Sequence, residues 1–429
     1  MRAVLYRRLR LHNEWLKYFN NRFYGFVPAW RVVHHWFFTD DRCDYGRYGL
    51  TSFSIPIRKY AWYLSGLIIF CVISASFAQA AESTSTPVNA FFLQSIPERH
   101  RDLEILFQRL RSGGADTVIA RPLKKNGDIN AAALTDLTFL SHKAGLRIFV
   151  VLPTRFDSSA LESHPEWEDI RYDPGSGTLK ATGSMDLANP QVLAYLVTRF
   201  KEIAAYAVDG ILLDEDFRYA STEGLSSLLL KEYARKYGSP FAAKKVLAKV
   251  SPEILEMNSA TFDTSFWQWS ELKRDALVNV AQELGRASRA VQGAIKFGIP
   301  LHVPGGEMPQ QALARFAYDM NAFRKLDIDF YWFAFRSLED EGTGGRSYNK
   351  KNFEYFSRLV KAASTMQKDP LKMIIAIPAM ASGKVLPLFE IEDTTALAQQ
   401  AGKTAGIAYI VDQTAVPPAA LTKKLFKRE

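Results

Sequence analysis

Cysteine is nearly absent: of 429 residues only Cys43 and Cys71 are cysteine. Both precede residue 80, so the body beyond has no thiol nucleophile and no disulfide, and its stability must come from an apolar core. Histidine is almost as scarce. Only His100, His142, His164 and His302 follow residue 80, no two closer than 22 residues and none in H-x-x-x-H spacing. That excludes a histidine-rich zinc site or a metal-dependent deacetylase centre, and no metal or other cofactor is expected. A G-x-S-x-G elbow is also missing, as is a Gly-rich phosphate loop after the first strand-like run, where Gln94-Ser95-Ile96-Pro97 stands instead.

Excess charge is missing from the body as well. Residues 1–60 hold eleven Lys/Arg against four Asp/Glu, which leaves 43 against 41 for the rest of the chain. The overall +9 is therefore a property of the leader, and composition gives the body no case for nucleic-acid binding. What remains, 48% hydrophobic and 23% charged, suits a folded globular protein rather than a disordered one.

Arg58-Lys59, an apolar run from Tyr60 to Phe77 and Ala78-Gln79-Ala80 follow the order of a secretory signal. Cleavage is expected before Ala81, with a periplasmic or secreted product and no membrane span thereafter; an uncleaved anchor is the competing reading. Residues 1–57, rich in Tyr, Phe, Trp and Arg without a clear period, read as an over-extended reading frame with initiation nearer Leu50. The expected organisation is a leader at 1–57, a signal at 58–80, a linker at 81–87, one domain at 88–415 and a basic tail at 416–429.

Within that domain strand-like and helix-like stretches alternate. Strands are read at Val88 to Gln94, Asp116 to Ala120, Arg147 to Leu152, Gly210 to Leu213, Lys296 to Leu301, Ile328 to Phe335, Lys372 to Ile377 and Gly406 to Val411. Helices are read at Glu98 to Arg111, Ala131 to Ala144, Asn189 to Tyr206, Ser226 to Tyr237, Phe266 to Val291, Pro309 to Phe323, Asn352 to Ala363 and Thr394 to Ala401. A Pro/Gly-rich loop is expected after the third strand. Continuously apolar strands need burial on both faces, so the pattern predicts an α/β fold, a (β/α)8 barrel of TIM type, over a doubly wound open sheet.

Such a barrel works at the C-terminal ends of its strands. Those ends carry Gln94, Arg121, Arg155 and Asp157, the triplet Asp214-Glu215-Asp216, His302 and Glu307, Arg336 and Glu339 to Glu341, and Asp412. Three consecutive acids facing a buried mouth cannot all ionise freely, and a raised carboxyl pKa is what a general acid needs near neutrality. Asp216 or Glu215 is therefore expected to be the general acid or base, with Glu339 as the second carboxylate that glycosidic cleavage requires. Asp214, Gln94, Arg121, His302, Arg336, Trp332 and Asp412 are expected to contact substrate. The acids could instead cap a helix or solvate a loop. His302 could be a hydrogen-bonded barrel histidine, and most aromatics could be core, with at most one of Trp267 and Trp269 buried.

Four segments, ADTVIARPLKKNGDIN (115–130), DGILLDEDF (209–217), FWQWSELKRDALVNVAQEL (266–284) and FRKLDIDFYWFAFRSLED (323–340), carry a family likeness. In their order and spacing the chain resembles the C-terminal glycosidase domain of bacterial poly-β-1,6-N-acetylglucosamine N-deacetylases over roughly Val88 to Ala415. The likeness covers that domain and not the deacetylase half. It implies a (β/α)8 barrel that binds and cleaves partially deacetylated poly-glucosamine, with the catalytic role falling on Glu215 and Asp216 and with Glu339 matching an acid after the sixth strand. It also implies an amino-sugar polymer as partner and an association with exopolysaccharide export machinery. The chain departs from the family at Asp214, where a histidine is usual, at Gln94, usually an aspartate, and at Val150 or Val151, where an aromatic is usual. The alternative is a barrel that binds polysaccharide or assists its export without cleaving it. A carboxylate-dominated cleft would attract a polymer bearing free amines.

Overall fold

The structure is a computed structural model that describes residues 88–93, 95–124, 126–250, 262–302, 309–334, 373–381, 384–385, 388–400 and 406–411. The leader, the signal-like segment and the basic tail lie outside the described residues. Among those described, no helix is long and apolar enough to cross a membrane.

All eight expected strands are present as β1 (Val88–Leu93), β2 (Thr117–Ala120), β3 (Arg147–Leu152), β6 (Gly210–Leu213), β7 (Lys296–Pro300), β8 (Phe330–Ala334), β9 (Met373–Pro378) and β12 (Gly406–Val411). They close into a barrel in the order β1-β12-β9-β8-β7-β6-β3-β2, and each neighbouring pair is parallel. The chain is a (β/α)8 barrel.

Strand alternation sorts the side chains into two cores. Phe92, Ile119, Phe149, Leu212, Phe330 and Trp332 point to the barrel axis, whereas Leu93, Val118, Ile148, Ile211 and their helix partners form the outer layer. Large residues inside are matched by glycines on adjacent strands. A Cβ at Gly210 would meet the Phe149 ring at 2.8 Å, and one at Gly298 would collide with Leu212 Cδ2. The interior is therefore a filled core, and only its C-terminal rim is open to chemistry.

The helices begin and end where local chemistry directs. In α1 (His100–Ser112) Leu103, Leu106, Phe107 and Leu110 make the buried stripe. Asn130 caps α2 (Ala131–Lys143). Asn189 caps α4 (Pro190–Ala204), whose first position is proline, and Asp263 caps α7 (Thr264–Val291). Gly238, at φ 75°, ends α5 (Ser227–Tyr237) in the left-handed conformation that glycine adopts without steric cost.

Three expectations are corrected. The Pro/Gly-rich stretch after β3 is not a plain loop: it holds α3 (Ser158–Ser163), a 3-10 turn at Pro165–Trp167 and an antiparallel hairpin, β4 (Glu168–Asp173) with β5 (Thr178–Met185). Its strand signal is short, only Ile170 and Tyr172 alternating within a polar run, while Asp173-Pro174-Gly175-Ser176-Gly177 makes the turn. The helix expected from Pro309 to Phe323 is two, α8 (Pro309–Phe316) and α9 (Met320–Phe323), broken where Ala317 takes φ 53° and Asp319 caps the second. The last described helix, α10 (Leu388–Gln400), starts at Leu388 rather than Thr394 because nothing in its first turns breaks a helix. The short α6 (Ala243–Leu247) and the pair β10 (Met380–Ala381) and β11 (Lys384–Val385) were not expected. The helix read at Asn352 to Ala363 lies outside the described residues.

Candidate functional site

The strand β6 runs straight into the acid triplet. Asp214 extends the barrel ladder by one bond, its N–H donating to the Leu152 carbonyl at 2.9 Å, and a turn closes as Phe217 N–H reaches the Asp214 carbonyl at 3.1 Å. The three acids then meet three environments.

Asp214 shares the inward parity of Leu212 and meets Arg121 from the end of β2: Arg121 Nη2 donates to Asp214 Oδ1 at 2.7 Å. The Arg121 guanidinium also lies 5.1 Å from the Phe92 ring centroid. Both residues follow barrel strands at their C-terminal ends, as expected, and there they neutralise each other.

Asp216 is buried. Its carboxylate accepts N–H bonds from Thr154 (2.9 Å), Arg155 (2.6 Å) and Phe156 (2.9 Å), with the Thr154 hydroxyl at 3.2 Å. Burial, reinforced by the Asp214 charge, pushes its pKa above the usual carboxylate range, and the backbone donors pull it down. Both oxygens are occupied by donors, so a proton placed on either would displace one of them. Asp216 therefore fastens the loop after β3 to the turn after β6. Glu215, between these two, is half-buried on the rim. With its oxygens bound to backbone donors, Asp216 is poorly placed to exchange a proton.

Behind the rim lies a buried ionic network that the sequence reading left among the strand-end residues. Arg155 pairs with Asp169 at 2.7 Å and Glu223 at 2.6 Å, donates to the carbonyls of Met185 and Arg218, and stacks 4.7 Å from the Tyr219 ring centroid. Burial opposes its charge, but Glu223 and Asp169 outweigh that and keep its pKa above the ordinary value. Asp169 itself is pushed up to about 7 by burial against the pull of Arg155. Lys273, fully buried on α7, donates to the carbonyls of Ala220 (2.9 Å) and Ser221 (3.2 Å), and burial lowers its pKa to about 7. The hairpin is drawn into the same network: Tyr172 N–H donates to the Thr222 carbonyl and Leu225 N–H to the Ile170 carbonyl, each at 2.9 Å. Asp157 is likewise structural, capping α3 and pairing with Arg199 and the Tyr195 hydroxyl.

Two expected substrate contacts are corrected. Trp332 is 2% exposed inside the barrel, edge-on to Phe92, and its indole N–H donates to the Leu213 carbonyl at 2.6 Å. It is core, because β8 alternation turns it to the axis. His302 is buried against Phe316 and Tyr318, with Nε2 3.1 Å from the Phe217 carbonyl. A carbonyl only accepts, so Nε2 carries the proton. Burial, aided by Arg218, lowers the His302 pKa to about 3, which leaves it neutral and too weak a base to hold a proton near neutrality. A folded pKa below the unfolded value of about 6.5 adds stability above pH 6.5 that is lost as pH falls toward 3, about 3 kcal/mol of it by pH 4.5. Imidazole NMR should show His302 unprotonated down to about pH 4; a midpoint between 6 and 7 would contradict its burial.

Gln94, Glu307, Arg336, Glu339 to Glu341 and Asp412 lie outside the described residues. Among the described residues no cluster of three or more His, Cys, Asp or Glu could hold a metal ion. Trp269 is buried and Trp267 partly so, as helical spacing requires. Among the described residues of the mouth, Arg121 pairs with Asp214 and backbone donors satisfy Asp216.

No family model matches the chain, and no curated protein matches its sequence. Solved structures do. The glycoside hydrolase domain of PgaB (BpsB) from Bordetella bronchiseptica aligns with a TM-score of 0.61 over 80% of this chain and 100% of that one, at 17% identity. The catalytic domain of β-amylase from Paenibacillus polymyxa aligns at 0.52 over 79% and 97%, with 13% identity. The β-galactosidase Gan42B from G. stearothermophilus aligns at 0.52 over 75% and 51%, with 10% identity. At such identities the shared property is the fold. The resemblance carried by the four sequence segments is thereby borne out as a common architecture: this chain is similar, over the whole length of that domain, to the PgaB glycoside hydrolase barrel.

Proposed function

We propose that the protein is a glycoside hydrolase of the cell envelope that cleaves an amino-sugar polymer of the partially deacetylated poly-β-1,6-N-acetylglucosamine type. Glu215 exchanges the proton with the glycosidic oxygen, and Glu339 is the second carboxylate, acting on the anomeric carbon or on the attacking water. Asp216 positions the turn that carries Glu215, and Asp214 with Arg121 holds the polar floor of the mouth. The observation that carries this reading is the placement of Glu215 on the rim of a glycoside-hydrolase-like barrel, between an ion pair and a buried carboxylate that fix its backbone. The fold neighbours, which include a glycoside hydrolase domain and a β-galactosidase, support the reaction class. The Arg58-Lys59, apolar and A-x-A order supports export across a membrane.

The pairing of Asp214 with Arg121 favours a second reading, a barrel that holds the polymer, or hands it to export machinery, without cutting it. A panel of partially deacetylated and fully acetylated poly-β-1,6-N-acetylglucosamine, chitosan and neutral β-glucan separates the two. New reducing ends from the partially deacetylated polymer alone support the proposal. Binding without product over a long incubation supports the second reading, and neither binding nor product from any member overturns both.

A further inference from the structure

The loop that Asp216 fastens holds an aromatic ring out in solvent. Phe156 is 59% exposed, although Arg155 before it and Asp157 after it are 3% and 2% exposed. Burying a phenylalanine is worth about 1.5–3 kcal/mol, and that gain is forgone here. The loop cannot turn the ring inward without large losses. The Phe156 N–H is bonded to Asp216, Arg155 is held by two acids and two carbonyls, and Asp157 caps α3 while pairing with Arg199. Other exposed large apolar residues, such as Phe139, Leu228 and Phe389, lie on the outer helices. Among the described residues Phe156 is the one aromatic of such exposure on a loop at the C-terminal end of a barrel strand, Leu179 on the hairpin being aliphatic, and β3 is the hydrogen-bonded neighbour of β6, which runs into Glu215.

We propose that Phe156 is a stacking platform for a pyranose ring of the bound glycan, seated beside the ring whose linkage reaches Glu215. The inference rests on the glycan-cleaving reading above and adds a binding subsite to it. An aromatic face carries partial negative charge and a rim of partial positive charge, so it attracts the C–H face of a sugar. In a gluco-configured β-linked pyranose every ring substituent is equatorial and both faces present only C–H groups. An axial hydroxyl, as in galacto or manno sugars, spoils one face. The platform therefore accepts either face of a gluco-configured ring but only one face of a galacto or manno ring, and a protonated 2-amino group strengthens the contact through its positive charge.

The test is calorimetric titration of the full chain with β-1,6-linked glucosamine oligosaccharides, partially acetylated. Phe156→Ala should raise Kd by roughly 3- to 10-fold, and Phe156→Trp should restore or improve binding. Neither should move Tm by more than about 2 °C, because the side chain is already in solvent. Unchanged Kd in Phe156→Ala overturns the platform while the hydrolase reading stands. Weaker binding that Phe156→Trp does not restore also counts against stacking. A wild-type chain that neither binds nor cuts these oligosaccharides overturns both.

Discussion

Arg155→Met should cost about 3–5 kcal/mol of stability, the range for removing one partner of a buried ion pair. The loss comes from what stays behind. Asp169, with a fully buried side chain, and Glu223 would remain as acids without their cation, the carbonyls of Met185 and Arg218 would lose a donor, and the Tyr219 ring would lose its stacked guanidinium. Because the same arginine joins the loop after β3 to the hairpin and to the 218–224 segment, the site should loosen along with the fold. Arg171, exposed on the same hairpin, is the control, and its replacement by Met should stay within about 0.5 kcal/mol. Urea unfolding of the two variants checks this. A cost below 1 kcal/mol for Arg155→Met would mean that the network is not what holds the rim.

Glu215→Gln and Asp216→Asn should fail in opposite ways. Glutamine keeps the size and hydrogen-bonding of Glu215 but cannot exchange a proton, so turnover should fall roughly 10²- to 10⁴-fold with Tm unchanged, the scale of general acid–base catalysis. Asparagine at 216 would turn an amide N–H₂ toward backbone N–H donors that now reach a carboxylate. Losing such charge-assisted bonds costs about 2–3 kcal/mol, so Tm should drop and any fall in activity should follow from the displaced loop. Full turnover in Glu215→Gln, or lost turnover with an unchanged Tm in Asp216→Asn, would exchange the two roles.

The architecture was legible because parallel strands buried on both faces must be continuously apolar. RIFVVL at β3 and GIAYIV at β12 leave little else to be. The position of the acid triplet at the barrel mouth followed from the same fact, since the acids stand at the end of GILL in β6. The division of labour among the acids was not legible. It depends on which backbone N–H groups face Asp216 from a loop 60 residues earlier and on Arg121 reaching across β3, and neither has a local signature. Trp332 was misplaced, and His302 left open between a substrate contact and the hydrogen-bonded barrel histidine it is, for a related reason: polar-tipped residues near a strand end can point down the axis or behind the rim, and only packing decides. Lys273 interrupts the apolar stripe of Phe266, Trp269, Leu277 and Leu284 on α7, and a cation on a core stripe announces buried carbonyl or carboxylate partners.

The proposed role of Glu215 is that of a working acid at the mouth of a glycan-cleaving barrel. Its most direct test is a time course of reducing-end release from partially deacetylated poly-β-1,6-N-acetylglucosamine by the full chain and by Glu215→Gln at matched Tm. Steady release by the first and almost none by the second is expected. Equal release by both, or none by a folded wild-type chain, would contradict it.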